Sequence, residues 1–120
     1  MFNKKILITD DAEYMRKMLR GILMPEKFAI IEACNGQEAI DQYLAHKPDL
    51  VFMDITMPVM DGIIAVKSIK EKDPNAKIVM CSALGQKDTV LEAIRAGAAG
   101  FVVKPFKPDG VIEAVKKSLN

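Results

Sequence analysis

The sequence predicts a single α/β domain of (βα)5 form, a parallel sheet covered by helices on both faces. Three observations carry that expectation. Five short apolar runs recur every twenty-odd residues: ILIT at 6–9, FAII at 28–31, LVFM at 50–53, IVMC at 78–81 and FVV at 101–103. Between them, apolar residues recur at the i, i+3, i+4, i+7 spacing of a helix with one buried face. Runs one, three and four are apolar throughout, the pattern of strands buried on both faces of a parallel sheet. Strict strand–helix alternation then selects a parallel sheet with helices on either side.

Each element has its own signal. The first run leads into a helix marked by Met15, Met18, Leu19 and Ile22. The second run continues into Glu32, which suits an edge strand, and Ala39, Ile40, Tyr43 and Leu44 mark the helix after it. Gly36 precedes that helix and Pro48 follows it; His46 lies near its end, where a cation suits the helix dipole. The third run is followed by Ile63, Ile64, Val66 and Ile69, with Pro74 as a stop. The fourth is followed by Val90, Leu91 and Ile94, with Gly97 as a stop. The short fifth run is a second edge candidate, and Pro108 and Asp109 open a last helix with Val111, Ile112, Val115 and Leu119 on its apolar face.

Bulk properties narrow the function. At 120 residues the chain suits one domain, 1–120, with a core large enough to need no staples. A net charge of +1 gives no nucleic-acid-binding balance. No apolar stretch approaches the ~20 residues of a membrane span, and MFNKKILITDD lacks the long apolar core of a signal peptide. Cys34 and Cys81 form no C-x-x-C pair and adjoin apolar runs, so they read as reduced, mostly buried thiols of a cytoplasmic protein. Met15, Met18, Met53 and Met80 fit core positions, and Met57 and Met60 border the loop after the third strand.

The chemistry is expected beyond the carboxyl ends of the strands, where open parallel sheets build their sites. Strand one ends in Asp10-Asp11, strand three in Asp54, strand four in Ser82-Ala83 and strand five in Lys104-Pro105. Two carboxylates 4 Å apart repel by roughly 4 kcal/mol at an effective dielectric of 20, so either a proton or a cation must enter. Helix capping would use one of Asp10 and Asp11, not both, and leaves Asp54 unexplained. A few oxygen ligands with room for water suit Mg2+, with Mn2+ as the alternative. A carboxylate beside such a cation can accept a phosphoryl group. The metal would then face one phosphoryl oxygen, Lys104 another, and Ser82 with the backbone amide of Ala83 a third.

ILITDD, MDITMPVMDG, CSA and AGAAGFVVKPF together resemble the receiver domain of bacterial two-component response regulators, within it the chemotaxis branch, along the whole chain. The resemblance implies a flavodoxin-like fold with strand order 2-1-3-4-5. It implies that Asp54 is the phosphoacceptor for a histidine kinase of the CheA kind, and that Lys104 and Ser82 assist. Asp11, Asp54 and the Thr56 carbonyl would hold Mg2+ directly, and Asp10 through water. A cis Lys104–Pro105 bond, an inward-turning switch of Ser82 and Phe101, and rate tuning by Thr56 and Leu84 are also implied. Such a protein is a monomeric signalling module that assists its own phosphorylation and dephosphorylation. Its output goes through the fourth helix, fifth strand and fifth helix to a motor switch protein of the FliM kind, and a phosphatase can act on it.

Other readings fit less well. A phosphatase of the haloacid dehalogenase class needs a second aspartate two residues after the nucleophile, where this chain has Thr56. A flavin binder needs a phosphate-cradling loop where Asp10-Asp11 would repel the phosphate, and no G-x-G-x-x-G serves a dinucleotide. GQKDT at 85–89 lacks the rest of a phosphate loop. The surviving alternatives are a phosphorelay intermediate and the receiver of a larger regulator.

Overall fold

The structure is a computed structural model that describes residues 4–83 and 86–119. The chain alternates β1 (Lys5–Thr9), α1 (Glu13–Leu23), a 3-10 turn (Met24–Glu26), β2 (Ala29–Ala33), α2 (Gly36–His46) and β3 (Leu50–Asp54). It continues through α3 (Gly62–Lys72), β4 (Ile78–Ser82), α4 (Lys87–Arg95), β5 (Gly100–Val103) and α5 (Pro108–Leu119). All strand pairs are parallel, in the order β2-β1-β3-β4-β5. This is the expected flavodoxin-like topology, with β2 and β5 at the edges.

The two-residue period of a strand sorts the core into two layers. Leu7, Val51, Met53, Ile78 and Met80 pack with Ile40, Val66, Ile69 and Ala93 from α2, α3 and α4. Ile6, Ile8, Leu50, Phe52, Val79 and Cys81 pack with Leu19, Leu23, Val111 and Val115 from α1 and α5. The central strands β3 and β4 are buried along their whole length. Burying one large apolar side chain of this kind stabilises by about 1.5–3 kcal/mol. The strands therefore form a stiff platform whose carboxyl ends are held in register.

The starts of α2 and α3 follow capping chemistry. Asn35 Oδ1 accepts the Glu38 N–H at 2.8 Å ahead of α2, and Asp61 Oδ1 accepts the Ile64 N–H at 3.0 Å ahead of α3. His46 is the last residue of α2, as expected. The apolar stripe predicted for the fourth helix needs correction. Val90 and Ala93 face the core, whereas Leu91 and Ile94 are exposed. On a nine-residue helix at the sheet's margin, a narrow stripe suffices to cover β4, and the next two apolar positions fall outside it. Leu44 and Ile64 are likewise exposed, one position off their buried stripes.

Among the described residues no helix is long and apolar enough to cross a membrane. Both cysteines are free. Cys81 is buried, and burial pushes its thiol well above the ordinary range. Cys34 is only half-buried; its thiol donates to Glu38 Oε2 at 3.3 Å, which raises its pKa.

Candidate functional site

Asp10 and Asp11 follow β1 directly and Asp54 closes β3, the neighbouring strand. Their carboxylates offer oxygens that all lie within 4.8 Å of one another. Asp10 and Asp54 are buried; Asp11 is exposed. Lys104, one residue beyond β5, reaches across β4's end to this cluster. Its Nζ donates to Asp10 Oδ2 at 2.9 Å and to Asp54 Oδ1 at 3.1 Å. The Lys104–Pro105 peptide is cis, as the resemblance implied.

Three carboxylates against one ammonium leave the pocket with an excess of negative charge. The consequence shows in Asp54, whose pKa is raised to about 6. Burial is the main cause and the Asp10 charge the next; Lys104 opposes both. For Lys104, burial pulls the pKa down, but the hydrogen bond to Asp10 and the charges of Asp54 and Asp10 outweigh it, so the net direction is up. It is thus a permanent cation at neutral pH. The donor set is all oxygen, compact and open on the Asp11 side, which fits a hard divalent cation such as Mg2+.

Neighbouring groups fix the acids in place. Asp10 Oδ1 accepts the Ala12 N–H at 2.9 Å, which closes the turn ahead of α1. Ala12 is the N-cap of that helix and α1 has no side-chain cap, so Asp10 does not cap it, and its other oxygen serves Lys104. The Asp10 carbonyl accepts from Arg16 at 2.8 Å, and Arg16 Nε pairs with Glu32 Oε1 at 3.0 Å. Arg20 pairs with the other oxygen of Glu32. The acidic residue of the edge strand thus braces the turn that carries Asp10.

The loop after Asp54 is shaped by backbone geometry. Met60 N–H donates to the Pro58 carbonyl at 2.8 Å, closing a tight turn about Val59, whose φ is 72°. That conformation is uncommon for a β-branched residue, and the side chain is 83% exposed. Gly62 N–H then donates to the Ile55 carbonyl at 2.7 Å. A Cβ on Gly62 would lie 2.1 Å from the Asp54 carbonyl oxygen. Gly62 is therefore required by close backbone approach to Asp54 itself.

Of the remaining expected residues, Ser82, Ala83 and Thr56 lie at or just beyond the carboxyl ends of β4 and β3. Ser82 ends β4 and is buried, and its carbonyl accepts the Lys104 N–H at 2.8 Å, tying the fourth and fifth strand ends together. Thr56 is exposed two residues after Asp54. Ala83 N–H donates to Gln86 Oε1 at 2.6 Å, and Gln86 Nε2 donates to Thr56 Oγ1 at 3.4 Å. Gln86, inside the discounted GQKDT stretch, is a neighbour of the pocket that sequence reasoning missed. Phe101 is 52% exposed on β5, so its ring is not a core ring. It lines an apolar groove of about 300 Å³ with Ser82, Val90, Leu91 and Val103. Leu84 lies outside the described residues.

Residues 6–116 match the family model described as response regulator receiver domain. The chain is 55% identical to the chemotaxis protein CheY of Bacillus subtilis (strain 168), over 97% of this chain and 98% of that protein. It is 54% identical to CheY of Thermotoga maritima, over 95% of this chain and 96% of that protein. Among solved structures, the CheX-CheY-BeF3-Mg2+ complex from Borrelia burgdorferi aligns with a TM-score of 0.91 at 39% identity. That alignment covers 97% of this chain and 89% of the matched one. With the acidic pocket, the bridging lysine and the strand order in agreement, the chain belongs to the response regulator receiver domain family and is of the CheY type.

Proposed function

We propose that this CheY-type receiver, a single domain over residues 1–120, accepts a phosphoryl group on Asp54 from a histidine kinase and thereby controls flagellar rotation in chemotaxis. The observation that carries this reading is Lys104 Nζ bridging Asp54 and Asp10 in a pocket of three converging carboxylates. Asp11, Asp54 and the Thr56 carbonyl would hold Mg2+, or Mn2+ in its place, with Asp10 acting through water; bound there, the cation supplies charge neutralisation for an incoming phosphoryl group. The CheY of the Borrelia complex was solved with Mg2+ and BeF3, which supports the cofactor assignment here.

The chain's own residues divide the work. An Asp54 carboxylate oxygen attacks phosphorus; the phosphorus–nitrogen bond of the donor phosphohistidine breaks, and the imidazole nitrogen leaves and takes up a proton. Lys104, held as a cation, balances charge on one phosphoryl oxygen, and Ser82 Oγ with the Ala83 N–H meets another. Water later hydrolyses the acyl phosphate, with Thr56 and Leu84 at positions that tune its access. The receiver is not itself an enzyme for other substrates.

Output runs by protein contact. Ser82 moving toward the phosphoryl group would leave room for Phe101, now half-exposed, to turn inward, remodelling the face formed by α4, β5 and α5. Leu91, Ile94 and Val103 already expose apolar surface there. The fitting partners are a CheA-like kinase, a FliM-like motor switch protein and a phosphatase, all in the cytoplasm and met by a monomer.

The test is phosphorylation by acetyl phosphate, read as the mass of one added phosphoryl group. The wild type gains it with Mg2+ and not with a chelator, and Asp54→Asn gains none. Equal labelling of the variant would overturn the assignment. Phosphorylation-dependent binding to a motor-switch peptide separates the chemotaxis role from that of a phosphorelay intermediate.

A further inference from the structure

The Ala83 N–H has a partner already. It donates to Gln86 Oε1 at 2.6 Å, and the other end of the same side chain donates to Thr56 Oγ1 at 3.4 Å. The Gln86 amide therefore spans the two loops that flank Asp54, the one after β3 and the one after β4. Gln86 immediately precedes α4, and its own side chain makes no capping bond to that helix. It also lines the apolar groove that Phe101 borders.

We propose that Gln86 is a latch on the phosphoryl site: its side-chain amide occupies the Ala83 N–H in the unmodified protein and must withdraw before a phosphoryl oxygen can take that donor. A backbone N–H is a single donor, so the two acceptors compete. An anionic phosphoryl oxygen makes the stronger, charge-assisted bond and wins. Withdrawal also breaks the tie between the end of β4 and the residue from which α4 starts. Acceptance of a phosphoryl group is thereby linked to the wall of the groove beside Phe101, through one side chain. The latch is a positioning device: it slows the unmodified protein's acceptance of a phosphoryl group and holds α4 in its resting place. The inference rests on Asp54 being the acceptor.

The test uses the full chain and four proteins: wild type, Asp54→Asn, Gln86→Ala and Gln86→Glu. Acetyl phosphate with Mg2+ is the donor, and the initial rate of phosphoryl gain is read by intact mass. Removing one competing hydrogen bond predicts that Gln86→Ala is modified about 3- to 10-fold faster than the wild type. Gln86→Glu keeps an acceptor for Ala83 and adds a negative charge, so it is modified no faster than the wild type. Equal rates for wild type and Gln86→Ala, or a Gln86→Glu protein as fast as Gln86→Ala, overturn the latch. A wild type that gains no phosphoryl group, or Asp54→Asn gaining it equally, instead overturns the acceptor assignment and the latch's catalytic consequence with it. A second measurement needs no phosphorylation: the amide proton resonance of Ala83 in the unmodified protein. Loss of so short a bond moves it upfield in Gln86→Ala, and an unmoved resonance overturns the latch on its own.

Discussion

Asp54→Asn is expected to make the metal-free protein more stable, although it removes the residue proposed to accept the phosphoryl group. The native pocket raises the Asp54 pKa from 3.8 to about 6. A shift of one unit corresponds to about 1.4 kcal/mol, so ionised Asp54 costs the folded state roughly 3 kcal/mol relative to the unfolded chain. The direction follows from proton binding. The folded state holds the proton more tightly, so the penalty is full at pH values above about 6. It shrinks as pH falls through that value and vanishes below the unfolded pKa of 3.8. That figure is already net of the attraction to Lys104, which asparagine gives up; solvent screening at a pocket open on the Asp11 side brings the expected gain to about 1–3 kcal/mol. For a domain of this size that is an increase in Tm of about 4–12 °C. The assay is thermal and urea unfolding of both proteins in chelator at pH 7.5 and pH 5, then with Mg2+ at pH 7.5. The variant's advantage should be largest at pH 7.5 in chelator, smaller at pH 5, and reduced by Mg2+, which binds the wild type better. A variant less stable than the wild type at pH 7.5 in chelator, or a gap independent of pH, would refute the claim that Asp54 is held ionised against its surroundings.

Other perturbations probe the frame around the pocket. Lys104→Met leaves Asp10 and Asp54 buried without their cation and should cost about 3–5 kcal/mol in chelator by urea unfolding, part of it recovered by Mg2+. Gly62→Ala places a Cβ 2.1 Å from the Asp54 carbonyl oxygen; it should lower stability by about 2 kcal/mol or more and weaken Mg2+ affinity in titration calorimetry, because the acceptor loop must shift. Phe52→Ala and Phe101→Ala form a contrasting pair. Phe52 is fully buried between β1, β4 and α5, so its loss should cost about 3–5 kcal/mol. Half-exposed Phe101 should cost under about 1 kcal/mol while impairing binding of the phosphorylated protein to its target.

Much of this could be read from the sequence, for reasons particular to the residues. β1, β3 and β4 are unbroken apolar runs, so their burial follows from hydropathy alone. Parallel topology then places Asp10, Asp11, Asp54, Ser82 and Lys104 along one edge of the sheet, and the structure shows the three acids and the lysine in contact or near contact. Leu91 and Ile94 were misassigned because periodicity locates a stripe without saying how wide a short edge helix needs it to be. Gln86 was missed because its significance lies in two hydrogen bonds across loops, one of them to a backbone N–H that no sequence pattern marks. The role of Gly62 was legible only as a helix start; the clash its absence of Cβ avoids is set by the path of residues 55–61. The bracing of Asp10 by Arg16 and Glu32 joins residues 16 apart, on a helix and an edge strand whose polar positions look like ordinary solvated charges.

Phosphorylate the protein with acetyl phosphate and Mg2+, reduce it with borohydride, digest it and sequence every aspartate-containing peptide, including those that carry residues 6–16 and 50–62. Borohydride converts a phosphorylated aspartate into homoserine, so the modified position is read directly. The account predicts homoserine at position 54 and at no other aspartate. Homoserine at Asp10 or Asp11, or none in a protein shown to bind Mg2+, would contradict it.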